Sequence, residues 1–317
     1  MSRSRAAGLL IGYAADRLLG DPARFHPVAG FGRVAGRLEQ AWYADARPAG
    51  SAYTLVLVGS TIGAGAVVDH HTRDRPIVHA LATATVTWAV LGGRSLAREA
   101  EALEDQLARG DLDTARVQLT HLVGRTTTTL DHEEIARAGV ESLAENTSDA
   151  VVAPLLWGGL GGIAGLAGYR AANTLDAMVG HRSARYEQFG WASARLDDVL
   201  NLAPARLTAI LASAGAATVG GRASDALRAW RRDARHHPSP NAGPVEAAFA
   251  GALGVTLGGV NTYGTHTEDR HLLGTGPRPR TRDLHRARVL ADRVGVLALL
   301  VSAAVAARPS RRRPSRR

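Results

Sequence analysis

Four polar blocks in this 317-residue chain pair carboxylates with amides or arginines at spacings that suit chemistry. The first is Glu141-Ser-Leu-Ala-Glu145-Asn146-Thr-Ser-Asp149. On a helix its three carboxylates fall at i, i+4 and i+8, so they share one face, repel one another and make a shared cation attractive. The second is Asn173-Thr-Leu-Asp176, with Arg170 one turn earlier. The third is Asp197-Asp198-Val-Leu-Asn201, followed by Pro204 and Arg206. Carboxylate and amide oxygens are hard ligands that suit Mg²⁺, an ion that keeps several waters and binds substrate phosphates. The fourth is the stiff turn Pro238-Ser239-Pro240-Asn241-Ala-Gly243-Pro244, which ends on Glu246 where an apolar run, 247–267, begins. A second stiff turn near the N-terminus, from Gly20-Asp21-Pro22 to His26-Pro27, offers Asp21 and His26 as residues flanking a site.

Composition narrows the chemistry. The chain has no Cys, which excludes disulfides, thiolate zinc sites and a cysteine nucleophile. It also has no Lys, and all 38 basic residues are Arg. That excludes the lysine-bearing phosphate loop and Schiff-base catalysis. Any phosphate must therefore be met by Arg, backbone N–H groups or a metal. The net charge of +9 owes six arginines to residues 308–317, leaving +3 elsewhere. This tail is expected to be disordered. With no aromatic interleaving and no nucleic-acid module, nucleic acid is not an expected partner.

The elements that must hold these blocks read as helices, and a lipid bilayer is the expected partner. Residues 49–68, 76–93 (interrupted only by His79) and 150–169 lack charge for 20, 18 and 20 residues, and 207–221 and 294–307 are weaker candidates. A membrane helix needs about 20 mostly apolar residues and tolerates Gly better than soluble helices do. Arginines before residue 49, in 222–235 and at the C-terminus are expected on the cytoplasmic side. Residues 94–149 alternate acidic and basic side chains at helical spacing, which predicts a cytosolic helical insert. No run alternates with period two for long. The expected fold is all-α, a polytopic membrane helical bundle forming one domain over 1–317.

Taken in order, the blocks resemble the CobD/CbiB family of cobalamin biosynthesis proteins, the adenosylcobinamide-phosphate synthases. The resemblance rests on Asp16-Arg-Leu-Leu-Gly20-Asp21-Pro22 with His26-Pro27-Val28, on Gly124-Arg125, and on Glu141 to Asp149 with Pro154. It continues through Tyr169-Arg170-Ala-Ala-Asn173-Thr174-Leu-Asp176, Phe189-Gly190-Trp191 and Asp197 to Arg206. The last block runs from Ser239-Pro240-Asn241-Ala-Gly243 and Glu246 to Tyr263. The chain departs from the family pattern at Thr126, where an acidic residue usually follows Gly-Arg, and at Pro244-Val245, where an aromatic is common.

The resemblance implies a multi-pass inner-membrane ligase whose active site faces the cytoplasm. It implies ATP-dependent joining of a propionate carboxylate of adenosylcobyric acid to aminopropanol or its phosphate, near other corrinoid-pathway enzymes. ATP and Mg²⁺ are the expected cofactors. Asp149, Asp176, Asp197, Asp198 and Asn201 are the expected metal ligands. Arg125, Arg170 and Arg206 would contact phosphate, and Asp21, His26, Asn173 and Asn241 would complete the substrate-binding set. Glu141, Glu145, Asp198 and Glu246 are the expected catalytic residues, with Glu141 or Glu246 deprotonating the incoming ammonium. The residues alone leave open a membrane Mg²⁺-dependent prenyltransferase or a non-enzymatic corrinoid permease or scaffold.

Overall fold

The computed structural model describes residues 2–21, 26–181, 183–263 and 266–308. Pro22 of the N-terminal block and tail residues 309–317 lie outside this set. The structure is 77% helical, with one two-stranded sheet among the described residues. In chain order the helices are α1 (Ser2–Leu19), α2 (Pro27–Trp42), α3 (Arg47–Thr72), α4 (Pro76–Val90), α5 (Gly93–Ala108) and α6 (Leu112–Leu119). There follow α7 (His132–Thr147), α8 (Ala153–Leu175), α9 (Trp191–Gly215), α10 (Ala223–Asp233) and α11 (Ala242–Leu253). The hairpin β1 (Leu257–Tyr263) and β2 (His266–Leu273) precedes α12 (Thr281–Ala307). Among the described residues, five helical runs are long and apolar enough to cross a membrane: Arg47–Thr72, Pro76–Ala108, His132–Gly180, Trp191–Val219 and Thr281–Ala307. Leu55 and Ile77 on α3 and α4 are about three-quarters exposed, as side chains facing lipid would be.

The contacts divide the chain into two compact units. The first gathers residues from 1–91, 154–197 and 299 onward; the second gathers 92–153 and 198–298.

In the first unit, Gly8 and Gly12 let α1 lie directly on Thr83 and Thr87 of α4, a spacing of small residues that membrane helices use for close approach. The expected single span at 150–169 is instead a helical hairpin. Gly162 adopts φ +64° and ψ −144°, a conformation closed to side-chain-bearing residues. The two halves of α8 fold back so tightly that a Cβ at Gly165 would strike the Trp157 carbonyl. The reversal cuts the intrahelical ladder, and side chains repair both cut ends. Arg5 Nη1 donates to the Leu160 carbonyl at 3.2 Å, while Asp69 Oδ2 accepts from the Ile163 N–H at 3.1 Å. Behind Asp69, Oδ1 lies 3.1 Å from His79 Nε2, and His79 Nδ1 lies 3.0 Å from Ser4 Oγ.

In the second unit, segment 94–149 carries most of α5, then α6 and α7, with a non-helical stretch over 120–131. Asp111 caps α6 by accepting from the Thr114 N–H at 3.1 Å, and Asp131 with Glu134 forms a capping box on α7. The expected apolar run 247–267 is not one helix. Gly254, at φ +68°, ends α11, and the chain turns into β1. A bulge lies between Gly258 and Val260, and Gly258 at φ +78° has no room for a Cβ against the His271 carbonyl.

Candidate functional site

The three-carboxylate face of the first block does not persist as a straight helical face. The chain widens into a π-turn over Ser148–Val152, which advances the register beneath Asp149. Glu141 is buried, and arginines compensate its charge. Its Oε2 takes an ion pair from Arg125 Nη2, and its Oε1 accepts from the Gly258 N–H at 2.8 Å with Arg137 Nη1 at 3.5 Å. Both guanidiniums also donate to Asn261 Oδ1, at 2.6 Å from Arg125 and 3.2 Å from Arg137. Glu141 and Arg125, expected as base and phosphate contact, thus tie α7 and the 123–127 loop to the hairpin.

Glu246 differs in kind. Set in the first turns of α11, it is 0% exposed. Neither carboxylate oxygen meets a hydrogen-bond partner among the described residues. Its neighbours are the imidazole of His237, with Nε2 at 3.8 Å, and the guanidinium of Arg270, with Nη1 at 3.9 Å. Burial, then the nearby charges of Glu141 and Glu145, pushes the Glu246 carboxyl well above the ordinary carboxylate range, against the pull of Arg270 and Arg125. Burial holds the His237 imidazole below its ordinary value. Glu145, half-buried, stands one turn beyond Glu141 on α7.

The 237–241 loop joins this cluster to α9. The Ser239 N–H donates to His237 Nδ1 at 3.1 Å, and Ser239 Oγ accepts from the Ala242 N–H at 3.1 Å, capping the start of α11. Gly243 has no room for a side chain against Ala234 and His237. Asn241 Nδ2 donates to the Asp198 carbonyl at 2.8 Å, and Arg206 Nη1 donates to Asn241 Oδ1 at 3.1 Å. The second unit therefore holds Arg125, Glu141, Glu145, Asp149, Asp198, Asn201, Arg206, Asn241 and Glu246. Asp149 and Asp198 are half-buried and Asn201 is buried.

The first unit holds the remaining expected residues. Asn173 Nδ2 donates to Asp197 Oδ1 at 3.3 Å, and Arg170 Nη1 lies 3.5 Å from Asn173 Oδ1. Asp176 opens a second π-turn, Asp176–Gly180, and its carboxylate fills the space a side chain at Gly180 would need. His26 caps α2, its Nδ1 accepting from the Val28 N–H at 3.2 Å. Asp21 is half-buried just after α1. Arg170 and Thr174 also line a cavity of about 270 Å³ with Pro27, Phe31, Thr61 and Val86.

Among the described residues, no three of His, Asp and Glu come close enough to hold a metal ion between them. Mg²⁺ does not require such a cage. One or two carboxylates with water and phosphate oxygens suffice, and Asp198 or the Asp197–Asn173 pair supplies donors of that type. Sequence reading missed His237, Arg270, Arg137 and Asn261. The detectable signal for His237 was its place immediately before the Pro-Ser-Pro-Asn turn.

These features define a polytopic α-helical membrane protein with a buried cluster of carboxylates, an imidazole and guanidiniums. A family model described as CobD/Cbib protein matches residues 9–291, and the chain belongs to that family. It is 51% identical to the cobalamin biosynthesis protein CobD of Mycobacterium tuberculosis over 289 residues, 91% of each chain. It is 43% identical to the protein of that name from Chromobacterium violaceum, covering 88% of this chain and 89% of the relative. For Rhodobacter capsulatus the identity is 40%, covering 94% and 98%. Membership assigns the chain a role in cobalamin biosynthesis. No solved structure matches it.

Proposed function

We propose that this protein is an ATP-dependent ligase that joins a propionate carboxylate of adenosylcobyric acid to the amine of aminopropanol or its phosphate. A carboxylate and an ammonium do not condense at neutral pH. In the proposed reaction the propionate attacks the γ-phosphorus of ATP, giving an acyl phosphate and ADP. The amine, after losing a proton, attacks the acyl carbon and expels phosphate, leaving the amide. Family membership supports the pathway. The observation that carries the chemistry is Glu246, a buried carboxylate without a hydrogen bond beside Glu145, His237 and Arg270.

A carboxyl raised by burial and by neighbouring carboxylates takes up a proton more readily than an ordinary one. Glu145, the half-buried member, receives the ammonium proton, and Glu246 stands behind it. Arg206, oriented by Asn241, suits phosphate oxygens through its planar fork. Asp198 with Asn201, or Asp197 and Asp176 beside Asn173, would hold Mg²⁺ with the nucleotide. When bound, the ion neutralises phosphate charge during transfer. Arg170, beside Asn173, is a second candidate for phosphate contact, and Asp21 and His26 remain candidates for binding substrate. The active site is proposed to face the cytoplasm, where ATP is.

The test uses purified, detergent-solubilised protein supplied with adenosylcobyric acid, aminopropanol phosphate or aminopropanol, ATP and Mg²⁺. The expected result is a corrinoid mass gain equal to the amine minus water, dependent on ATP and Mg²⁺. Well-folded protein that forms no amide with either amine overturns the reading.

A further inference from the structure

Glu246 and His237 are both buried, come from different elements and face each other across 3.8 Å. Glu246 Oε1 and Oε2 and His237 Nε2 have no hydrogen-bond partner among the described residues. Two polar groups left open toward each other in a protein interior carry a cost that architecture alone does not explain. The other face of the imidazole is arranged differently. His237 Nδ1 lies 3.1 Å from the Ser239 N–H and 3.2 Å from the Ser239 carbonyl. One residue thus offers a donor when Nδ1 is bare and an acceptor when Nδ1 bears a proton.

We propose that Glu246 and His237 form a proton relay that carries the amine's proton away from the buried carboxylates. The relay rests on the ligase reading above. In the starting state Nδ1–H donates to the Ser239 carbonyl, and Nε2 holds a lone pair toward Glu246. Glu246 rests protonated: its O–H proton passes to Nε2, and the vacated carboxylate takes up the proton removed from the ammonium. The resulting imidazolium releases the Nδ1 proton to solvent at the 237–239 loop, where Pro238 is exposed. Nδ1, now bare, accepts from the Ser239 N–H until exchange with water removes the proton from Nε2 and returns one to Nδ1, Glu246 being already protonated again. No proton is created or lost, and no other co-reactant is needed. The 3.8 Å gap closes by a small side-chain shift or through one water.

The charged groups around the pair set its direction. Glu141 and Glu145 on α7 favour the protonated carboxyl, while Arg270 on β2 and Arg125 in the 123–127 loop oppose it. Arg270 also disfavours imidazolium, against Glu141 and Glu268. His237 is therefore a relay that gives its proton up readily, and it acts through Glu246 rather than on substrate.

The experiment compares His237→Gln, Glu246→Gln and the double variant in the amide assay across pH. Gln at 237 keeps an N–H near the Nε2 position but cannot carry a proton. His237→Gln is expected to lower kcat by about 100-fold, within the range for positioned proton transfer. KM for both substrates should stay unchanged, and the acidic limb of the profile should shift. The double variant should be no slower than the slower single one, since one relay is broken once. Wild-type kcat and pH profile in folded His237→Gln, or additive losses, overturn the relay. Should His237→Gln fail to fold, His237→Asn, which keeps a polar atom against Ser239, carries the same test.

An infrared readout separates the relay from the ligase reading. Wild type minus Glu246→Gln should show a protonated carboxyl band that persists above the ordinary carboxylate range of pH, and its titration should move in His237→Gln. Absence of the band, or indifference to residue 237, overturns the relay even if the amide forms. If no amide forms but the band behaves as expected, the ligase reading falls and with it the amine as proton source, while the proton coupling between Glu246 and His237 stands.

Discussion

Each unit buries a chain of ionisable and polar side chains, and the two chains are built to opposite standards. In the first, Ser4, His79 and Asp69 follow one another at hydrogen-bond distance, and Asp69 with Arg5 closes the cut ends of the α8 hairpin. Within a bilayer an open backbone group is too costly to leave, so those side chains complete the fold. In the second, Glu246 and His237 stop short of each other, and both carboxylate oxygens and Nε2 are unmet among the described residues. A buried carboxylate held in that condition lowers stability and persists where function needs it. A polar residue's burial alone therefore does not mark a site; whether its hydrogen bonds are met does.

The largest expected effect breaks the first unit outright. Gly165→Leu drives a side chain into the Trp157 carbonyl and forces the halves of α8 apart. The cost should exceed about 4 kcal/mol, the range of severe core lesions. No monodisperse protein should elute from size exclusion in detergent; a normal elution profile would disprove the hairpin.

The comparison is sharpest in one pair of variants. Asp69→Ala opens the N–H groups at residues 163 and 164 and leaves His79 without its acceptor, at a cost of about 2 kcal/mol. Turnover per folded molecule should hold. Glu246→Met should do the reverse, losing about 100-fold in turnover while stability holds or rises by about 1 kcal/mol, since a buried carboxyl without hydrogen bonds among the described residues gives way to an apolar chain. Arg270 survives the loss because its side chain is 21% exposed and keeps its water. The sign of the pH dependence follows. Glu246 keeps its proton in the fold at pH values where the unfolded chain has lost it, so its contribution to stability falls as pH rises through that window. Glu246→Met should flatten this slope in denaturation midpoints measured across pH. Equal stability losses in the two variants would erase the distinction between the units.

Much of this was legible in the sequence. The polar blocks, the helical character and the apolar runs were readable because each depends on local spacing. Glu246 and Asn241 stood out for the same reason, sitting on a stiff turn before an apolar helix. What was not legible depends on chain reversal. The uncharged stretch 150–169 has the length of a span, and only the positive φ at Gly162 shows that it turns back. The stretch 247–267 hides a helix stop at Gly254 and a glycine-bulged strand without period-two alternation. Arg270 then lay in a charged run, 268–271, that resembles a solvated face. Only strand pairing brings its guanidinium to Glu246.

The smallest effect tests whether satisfied carboxylates in the second unit follow the rule of the first. Asp233, at the end of α10, has a side chain only 9% exposed. Unlike Glu246, it is fully engaged: its Oδ2 accepts from Arg232 Nη2 at 2.7 Å and from the Gly274 N–H at 2.8 Å. Burial pushes its carboxyl up, but the Arg232 hydrogen bonds and the Gly274 N–H together hold it below the ordinary aspartate value. A carboxyl held down in the fold contributes stability above its unfolded pKa and loses it as pH falls through its folded pKa. Asp233→Asn should therefore cost about 1 kcal/mol at neutral pH and nothing once the medium is acid enough to protonate aspartate in both states. This slope is opposite in sign to that of Glu246 in the same unit, and amide formation should be untouched. A loss of turnover in Asp233→Asn at unchanged stability would show that a carboxylate with its hydrogen bonds met can still serve the reaction. Hydrogen-bond satisfaction would then no longer separate fold from site.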